Sequence, residues 1–145
     1  MKAMIRVVLD VGEHSVVWDV LGKAMSIAAI HGIHELIEEC LGCYPGLIWY
    51  ESDELYLLLL AIVHRQVNVY NLVYQMTRHV VSASTHTIGE DNALHLIVRK
   101  PSTYRLNTVT GAALQILREL LWFKEVEKIV EPSYKVALNA EYKTQ

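Results

Sequence analysis

Apolar positions in the first part of the chain recur at helical spacing. From Ser15 to Ala28 they return every three or four residues, which is the period of one face of an α-helix. Gly32 interrupts the pattern, and it resumes out of phase as far as Leu41. We therefore predict two helices, or one long helix broken near Gly32, ending at Gly42 before a Tyr-Pro-Gly turn.

A run of nine apolar residues, Leu55 to Val63, follows this turn. Ser52 and two acidic residues precede the run, which is the usual composition of a helix N-terminus. Because the run is apolar on nearly every side, we expect a helix from Ser52 to about Arg65 in the middle of the core. A membrane-spanning helix needs about 20 apolar residues, so we predict no membrane attachment here.

The period then changes from helical to alternating. β-branched and aromatic residues dominate Val67 to Tyr74, and a second run rich in Val, Ser and Thr extends from His79 to Thr87. A Gly-Glu-Asp-Asn turn leads into a third run, Ala93 to Arg99. These three runs predict a three-stranded antiparallel β-meander within residues 66–105.

Helical spacing returns after Asn107, and Pro132 marks where this last helix has ended. We predict an α+β fold: a mainly helical bundle formed by residues 1–65 and 106–145, with residues 66–105 as a β-insertion in a single compact chain. The apolar residues that share one face of the last helix are Ala113, Leu114, Leu117, Leu120 and Leu121.

The composition is that of a globular domain. Of 145 residues, 52% are hydrophobic and 20% are charged, which excludes a disordered chain. Two cysteines cannot staple a chain of this length, which excludes a disulfide scaffold. The first residues lack the long apolar region of a secretory signal, so we expect a cytoplasmic protein with reduced thiols.

The formal net charge of −3 hides a gradient along the chain. Residues 1–63 carry three basic and nine acidic side chains, whereas residues 64–105 carry five basic and two acidic ones. Residues 106–145 carry five of each sign. The overall charge argues against a strongly basic nucleic-acid binder, but the basic segment 64–105 favours a local role of that kind.

Tyrosines lie between the basic residues of this segment. Basic side chains can follow a phosphate backbone while tyrosines stack on bases, a combination typical of single-strand binding. A solvated sheet edge, where positive charges discourage edge-to-edge pairing, explains the same pattern equally well. The candidate nucleic-acid contacts are Arg65, Tyr70, Tyr74, Arg78, Arg99, Lys100, Tyr104 and Arg105.

Two histidines and two cysteines, His31, His34, Cys40 and Cys43, form the pattern H-x2-H-x5-C-x2-C. Zinc takes four such ligands at about 2.0–2.3 Å. His34 and Cys40 lie about 9 Å apart along a continuous helix, so both pairs cannot reach one ion without a sharp break. We predict no metal site and no cofactor. The Cys-x-x-Cys pair falls at a helix end that raises thiol pKa values, which excludes a thioredoxin-like enzyme.

A hydrolytic site would need a nucleophile with a base. Ser84 and His86 share a face if they lie on a strand, and His79 is near in sequence. The sequence has no nucleophile elbow and no glycine-rich phosphate loop, and the nearest acidic residue is Glu90. We predict no catalytic residues. A small metal-independent nuclease using His79 or His86 is the enzymatic alternative.

Three stretches carry a resemblance to a known family: Asp19 to Met25, Tyr44 to Tyr50 and Glu54 to Tyr70. In their order, over about residues 14–130, the chain resembles the small subunit of archaeal type I-A CRISPR interference complexes. The resemblance implies a non-catalytic helical subunit with a β-domain. Such a subunit lines the inner side of a backbone of RNA-binding subunits and helps to stabilise the guide–target hybrid and the displaced strand.

We therefore predict a non-catalytic subunit of a nucleic-acid-targeting ribonucleoprotein in antiviral defence. Its partners would be other protein subunits, with guide RNA and target DNA contacted directly or through them. Glu54 to Gln66 also resembles part of the smallest subunit of the tRNA-modifying KEOPS complex, which gives an accessory subunit as a further alternative. The charge gradient adds head-to-tail self-association, in which acidic helices of one copy meet the basic segment of another.

Overall fold

The structure, a computed structural model, describes residues 14–53, 55–77, 93–99 and 111–129. Within these ranges the chain is mostly helical, with one small antiparallel sheet. The elements in chain order are α1 (His14–His31), α2 (His34–Cys43), the 3-10 helix η1 (Pro45–Trp49), β1 (Glu51–Ser52), β2 (Leu55–Tyr56), α3 (Leu57–Val63), α4 (Val67–Thr77), α5 (Ala93–Arg99) and α6 (Ala112–Glu127).

The predicted break at Gly32 is confirmed, and its cause is a glycine-terminated helix end. Gly32 has a φ of 78°, a conformation that glycine adopts without steric cost. The N–H of Ile33 donates to the carbonyl of Ala28 at 2.9 Å, as in a Schellman motif. A Cβ on Gly32 would also meet Oε1 of Gln66, whose Nε2 donates to the carbonyl of Ile30. Helix α1 therefore stops there, and α2 starts at His34.

Helix α3 is the centre of the first half, as predicted. Every residue from Leu57 to Val63 is buried. Its predicted start at Ser52 is wrong, because Glu51–Ser52 pairs with Leu55–Tyr56 in a short hairpin. Asp53 has a φ of 51°, which suits the tight loop of a two-residue hairpin. Helix α1 packs against α2, α3 and this hairpin, which encloses the apolar core.

The predicted first strand, Val67 to Tyr74, is wrong: these residues belong to α4. The β-branched residues of this segment suggested a strand. Residue propensity is a weak determinant of secondary structure, and the burial of one side of the segment outweighs it. The buried residues of α4 fall three to four residues apart, which places them along one side of a helix. They are Val69, Tyr70, Val73 and Thr77.

The predicted third strand, Ala93 to Arg99, is also wrong, since these residues form α5. Ala93, Leu94 and Ile97 are buried, again at helical spacing. The predicted second strand, His79 to Thr87, lies outside the described residues. The α+β, mainly helical class is thus confirmed, while at least two strands of the predicted three-stranded meander are helices. The strands that the structure does show come earlier, between η1 and α3.

The chain divides into two compact units, Met1–Met76 and Thr77–Gln145. In the second unit, α5 and α6 pack against each other. The predicted assignment of 1–65 with 106–145 to one helical domain stays a prediction. Among the described residues, no helix combines the length and apolar character needed to cross a bilayer.

Candidate interaction surface

Arg65, the first of the predicted nucleic-acid contacts, is a structural residue. It is only 5% exposed and has a φ of 54°, the left-handed conformation. Its Nη1 donates to the carbonyl oxygen of Val63 at 2.7 Å, and the N–H of Gln66 donates to the carbonyl of Ala61 at 2.9 Å. The guanidinium charge therefore lies at the C-terminal, electronegative end of α3, where it stabilises the helix end.

The two tyrosines of α4 stack on each other. The rings of Tyr70 and Tyr74 are 5.7 Å apart between centroids and nearly parallel, at 3°. Tyr70 is 1% exposed, and Tyr74 is half-buried. Tyr70 is therefore a core residue, and a base has no access to its ring in this conformation.

The remaining predicted contacts are not brought together by the described part of the chain. Arg99 is the last residue of α5. The other four candidate contacts lie outside the described residues: Arg78, Lys100, Tyr104 and Arg105. The two histidines of the nuclease alternative, His79 and His86, also lie outside them.

The His and Cys pattern does not form a metal-binding group. Among the described residues, no three His, Cys, Asp or Glu side chains lie close enough to share an ion. His31, His34 and Cys43 are on the surface of α1 and α2, or partly so, whereas Cys40 is fully buried. Burial raises the pKa of the Cys40 thiol, so it is held in the protonated, unreactive form.

The most unusual surface of the described residues is one side of α6. Five large aliphatic side chains there are each more than half exposed, between 53% and 62%. Monomeric soluble proteins rarely keep a contiguous apolar patch of this kind in water. We call these residues the α6 stripe: Leu114, Ile116, Leu117, Leu120 and Leu121.

Helix α6 has a second, buried apolar side. Trp122 and Val126 are 8% and 0% exposed, and Ile129 just beyond the helix is 8% exposed. At about 100° per residue, these residues point roughly opposite to the α6 stripe. The helix is therefore apolar on two sides, of which its own unit covers only one.

The charged side chains on α6 are unequally exposed. Arg118 and Lys124 are exposed, as is Lys128 directly after the helix, whereas Glu119, Glu125 and Glu127 are half-buried. Lys124 lies one turn beyond Leu120 on the same side, and Lys128 lies one turn further. Lys128 also pairs with Glu125. Glu127 lies seven residues after Leu120 on the same side, so charges of both signs follow the α6 stripe at its C-terminal end.

A smaller apolar surface lies on α1. Val16, Val20 and Ile27 are 55%, 46% and 58% exposed, and their spacing of four and seven residues places them along one side of the helix. We call these three residues the α1 stripe. Among the described residues of Met1–Met76, the exposed acidic side chains are Asp19, Glu35, Glu38, Glu51 and Asp53, and the exposed Lys23 pairs with Asp19.

Next to the α1 stripe, a polar contact joins α1 to the residue after η1. Asp19 accepts hydrogen bonds from Nζ of Lys23 at 2.7 Å and from the hydroxyl of Tyr50 at 2.9 Å. The Lys23 bond, followed by the Tyr50 bond, lowers the pKa of Asp19. The Tyr50 ring lies over Gly22, where a Cβ would be 2.2 Å from the ring. Two of the stretches that carry the family resemblance therefore contact each other.

The apolar face of α6 was visible in the sequence, but its exposure was not. Helical spacing groups Leu114, Leu117, Leu120 and Leu121 correctly. The missed signal is Trp122 with Val126, a second apolar side that competes for burial. Two apolar sides on one helix indicate either a central core position or a surface that binds a partner.

Comparison with known proteins identifies no relative. No protein-family model matches the chain. No curated protein and no solved structure matches it either. The inference of function therefore rests on the chain's own residues.

Proposed function

We propose that the chain is a non-catalytic subunit of a nucleic-acid-targeting ribonucleoprotein and that it binds its protein partners through α6. The observation that carries the proposal is the α6 stripe, five aliphatic side chains that are more than half exposed on one helix. The proposed setting is a cytoplasmic assembly like the type I-A CRISPR interference complexes, which the sequence resembles.

The size of the α6 stripe suits a binding surface. Fully burying an aliphatic side chain is worth about 1.5–3 kcal/mol, so covering the exposed half of five gives on the order of 5 kcal/mol. Association itself costs about 4–15 kcal/mol. The α6 stripe alone therefore gives weak binding, and a stable complex needs a matching apolar face and polar contacts from the partner.

The basic segment 64–105 supports the nucleic-acid part of the proposal, although two of its candidate residues are buried. Arg65 and Tyr70 are used inside the protein, as described above. The phosphate and base contacts are therefore proposed for the remaining candidates, and partner subunits supply most of the binding to RNA. The candidates that remain are Tyr74, Arg78, Arg99, Lys100, Tyr104 and Arg105.

The proposal is tested by purifying the tagged chain from its native host under mild conditions and identifying the proteins and RNA that come with it. We expect a defined set of protein subunits together with small guide RNA. Purification without RNA would contradict the nucleic-acid part of the proposal.

The non-catalytic part is tested with the purified chain and labelled single-stranded RNA and DNA. We expect no cleavage. Cleavage that is abolished in His86→Ala or His79→Ala, but retained in the exposed-surface variant Glu38→Gln, would overturn the proposal in favour of a nuclease.

A further inference from the structure

Two aromatic rings meet at an exposed corner where η1 is followed by the β1–β2 hairpin. The rings of Trp49 and Tyr56 are 6.3 Å apart between centroids and nearly perpendicular, at 85°. Trp49 is 40% exposed and Tyr56 is half-buried, so solvent reaches both rings. Two rings at right angles form adjacent walls, and a cation between them lies against the negative face of a π-system.

Glu51 adds a carboxylate to these rings. It lies directly opposite Tyr56 in the hairpin, and directly opposed side chains share one face of a sheet, with Cβ atoms about 4.5–5.5 Å apart. Glu51 is exposed, and none of the ion pairs between described residues involves it. We call Trp49, Glu51 and Tyr56 the aromatic corner.

The described lysine and arginine of Met1–Met76 are both engaged away from the aromatic corner. Lys23 pairs with a carboxylate of its own helix, and Arg65 is buried at the end of α3. The hairpin itself carries acidic charge, because Glu51 and Asp53 are both exposed. Like charges grouped at one site create a potential that attracts a ligand of opposite sign, here a cation.

A guanidinium matches both features of the aromatic corner. It is planar, so it stacks on an aromatic face, and its N–H groups donate two parallel hydrogen bonds to a carboxylate. A lysine ammonium is a compact charge without a flat face. A quaternary ammonium is attracted to the rings but has no N–H to donate to Glu51.

We propose that the aromatic corner binds an arginine side chain of a partner protein, with the guanidinium stacked on the Trp49 and Tyr56 rings and hydrogen-bonded to Glu51. Arginine, tryptophan and tyrosine are the residues that most often dominate the binding energy of protein–protein interfaces. This site goes beyond the proposed function and does not depend on the α6 stripe.

The test follows the indole N–H resonances of the full chain by NMR during titration with N-acetyl-arginine amide at low salt. The three tryptophans of the chain, Trp18, Trp49 and Trp122, give one such resonance each. We expect the largest shift at Trp49, while Trp122, which is buried, serves as the internal reference. The dissociation constant should be millimolar, because one side chain supplies only part of an interface.

Two substitutions separate the carboxylate from the rings, and both keep Trp49 as the reporter. Glu51→Gln keeps the shape of the side chain and removes its charge, so the dissociation constant should rise at least about threefold. Glu38→Gln removes one exposed carboxylate from α2 and is the matched control, for which we expect the wild-type value. Tyr56→Leu removes one wall and should weaken binding as well. Circular dichroism establishes folding, and the two glutamate variants decide if Tyr56→Leu does not fold.

Three results would overturn the inference. The first is an unshifted Trp49 resonance at arginine amide concentrations up to about 100 mM. The second is equal affinity of Glu51→Gln and the wild type. The third is a dissociation constant for tetramethylammonium or N-acetyl-lysine amide as low as that for the arginine amide, which would show that the rings bind cations without selecting a guanidinium. None of these results bears on the α6 stripe, so the proposed function is tested separately.

Discussion

The ring of Tyr50 lies over Gly22 of α1 and leaves no room there for a Cβ. A Cβ at Gly22 would lie 2.2 Å from the Tyr50 ring, so Gly22→Ala must displace the ring and its bond to Asp19. We expect a loss of about 1–3 kcal/mol in the free energy of unfolding, measured with urea.

Gly42→Ala is the matched control for this change. Nothing lies within 4 Å of a Cβ at Gly42, which is in α2, so alanine should raise stability by about 0.5–1 kcal/mol. Equal effects of the two substitutions would contradict the described packing of Tyr50 on α1.

The pair of hydrogen bonds on Asp19 predicts a dependence of stability on pH. The pKa of Asp19 is lowered from 3.8 in the folded protein, so the unfolded chain binds the proton more readily. Stability from this group is therefore present above pH 3.8 and is lost as the pH falls through the lower, native-state pKa. In Asp19→Asn, urea midpoints should change less with pH across this range.

Tyr50→Phe keeps the Lys23 bond to Asp19 and removes the other one. Its pH dependence should lie between those of the wild type and Asp19→Asn. If the stability of all three proteins depends on pH in the same way, neither hydrogen bond stabilises the ionised Asp19 carboxylate in solution.

Arg65 gives a prediction that separates backbone strain from side-chain bonding. Both Arg65→Ala and Arg65→Gly lose the bond to the Val63 carbonyl, but only glycine adopts a φ of 54° without a Cβ penalty. Arg65→Gly should therefore be about 1 kcal/mol more stable than Arg65→Ala in urea unfolding. The reverse order would contradict the left-handed conformation. The sequence shows only that residue 65 is basic. Its burial follows from its place at the end of α3, where its side chain donates to the carbonyl of Val63.

At the scale of elements, spacing was more informative than residue type. The Gly32 break and the buried α3 follow from spacing and from an unbroken apolar run. For α4 the Val and Tyr content suggested a strand, although Val69, Tyr70 and Val73 recur at a helical period. β-propensity describes how a side chain fits a half-buried sheet, so it gives the wrong answer where a helix buries the same residues.

Shortening a side chain to alanine should cost more stability on the buried side of α6 than in the α6 stripe. Trp122 is 8% exposed, so Trp122→Ala should lower the free energy of unfolding by about 3–5 kcal/mol. Leu121, its neighbour in the sequence, is 60% exposed, and Leu121→Ala should change it by no more than about 0.5 kcal/mol. Both are measured with urea at a low protein concentration, where association does not contribute. A large loss in Leu121→Ala would place the stripe in a core instead.

At the scale of the whole molecule, the sequence revealed the separation of charge along the chain but not which of the charged side chains are exposed. The described surface of Met1–Met76 carries acidic side chains, whereas Arg65, one of the basic side chains of segment 64–105, is buried at a helix end within the same unit. Which apolar face remains exposed depends on how elements pack, and the helical period alone does not determine this. The nucleic-acid contacts therefore stay a prediction from the sequence, whereas the α6 stripe is a feature of the structure.

The central claim is that the α6 stripe holds the chain in a ribonucleoprotein. It is tested most directly by the ratio of small guide RNA to tagged chain after purification from the native host, for the wild type, for Leu117→Glu with Leu121→Glu, and for the control Ala112→Glu. We predict the same ratio for the wild type and the control, and a loss of at least about tenfold in the stripe variant. An unchanged ratio in a folded stripe variant, or no RNA with the wild type, would contradict the claim.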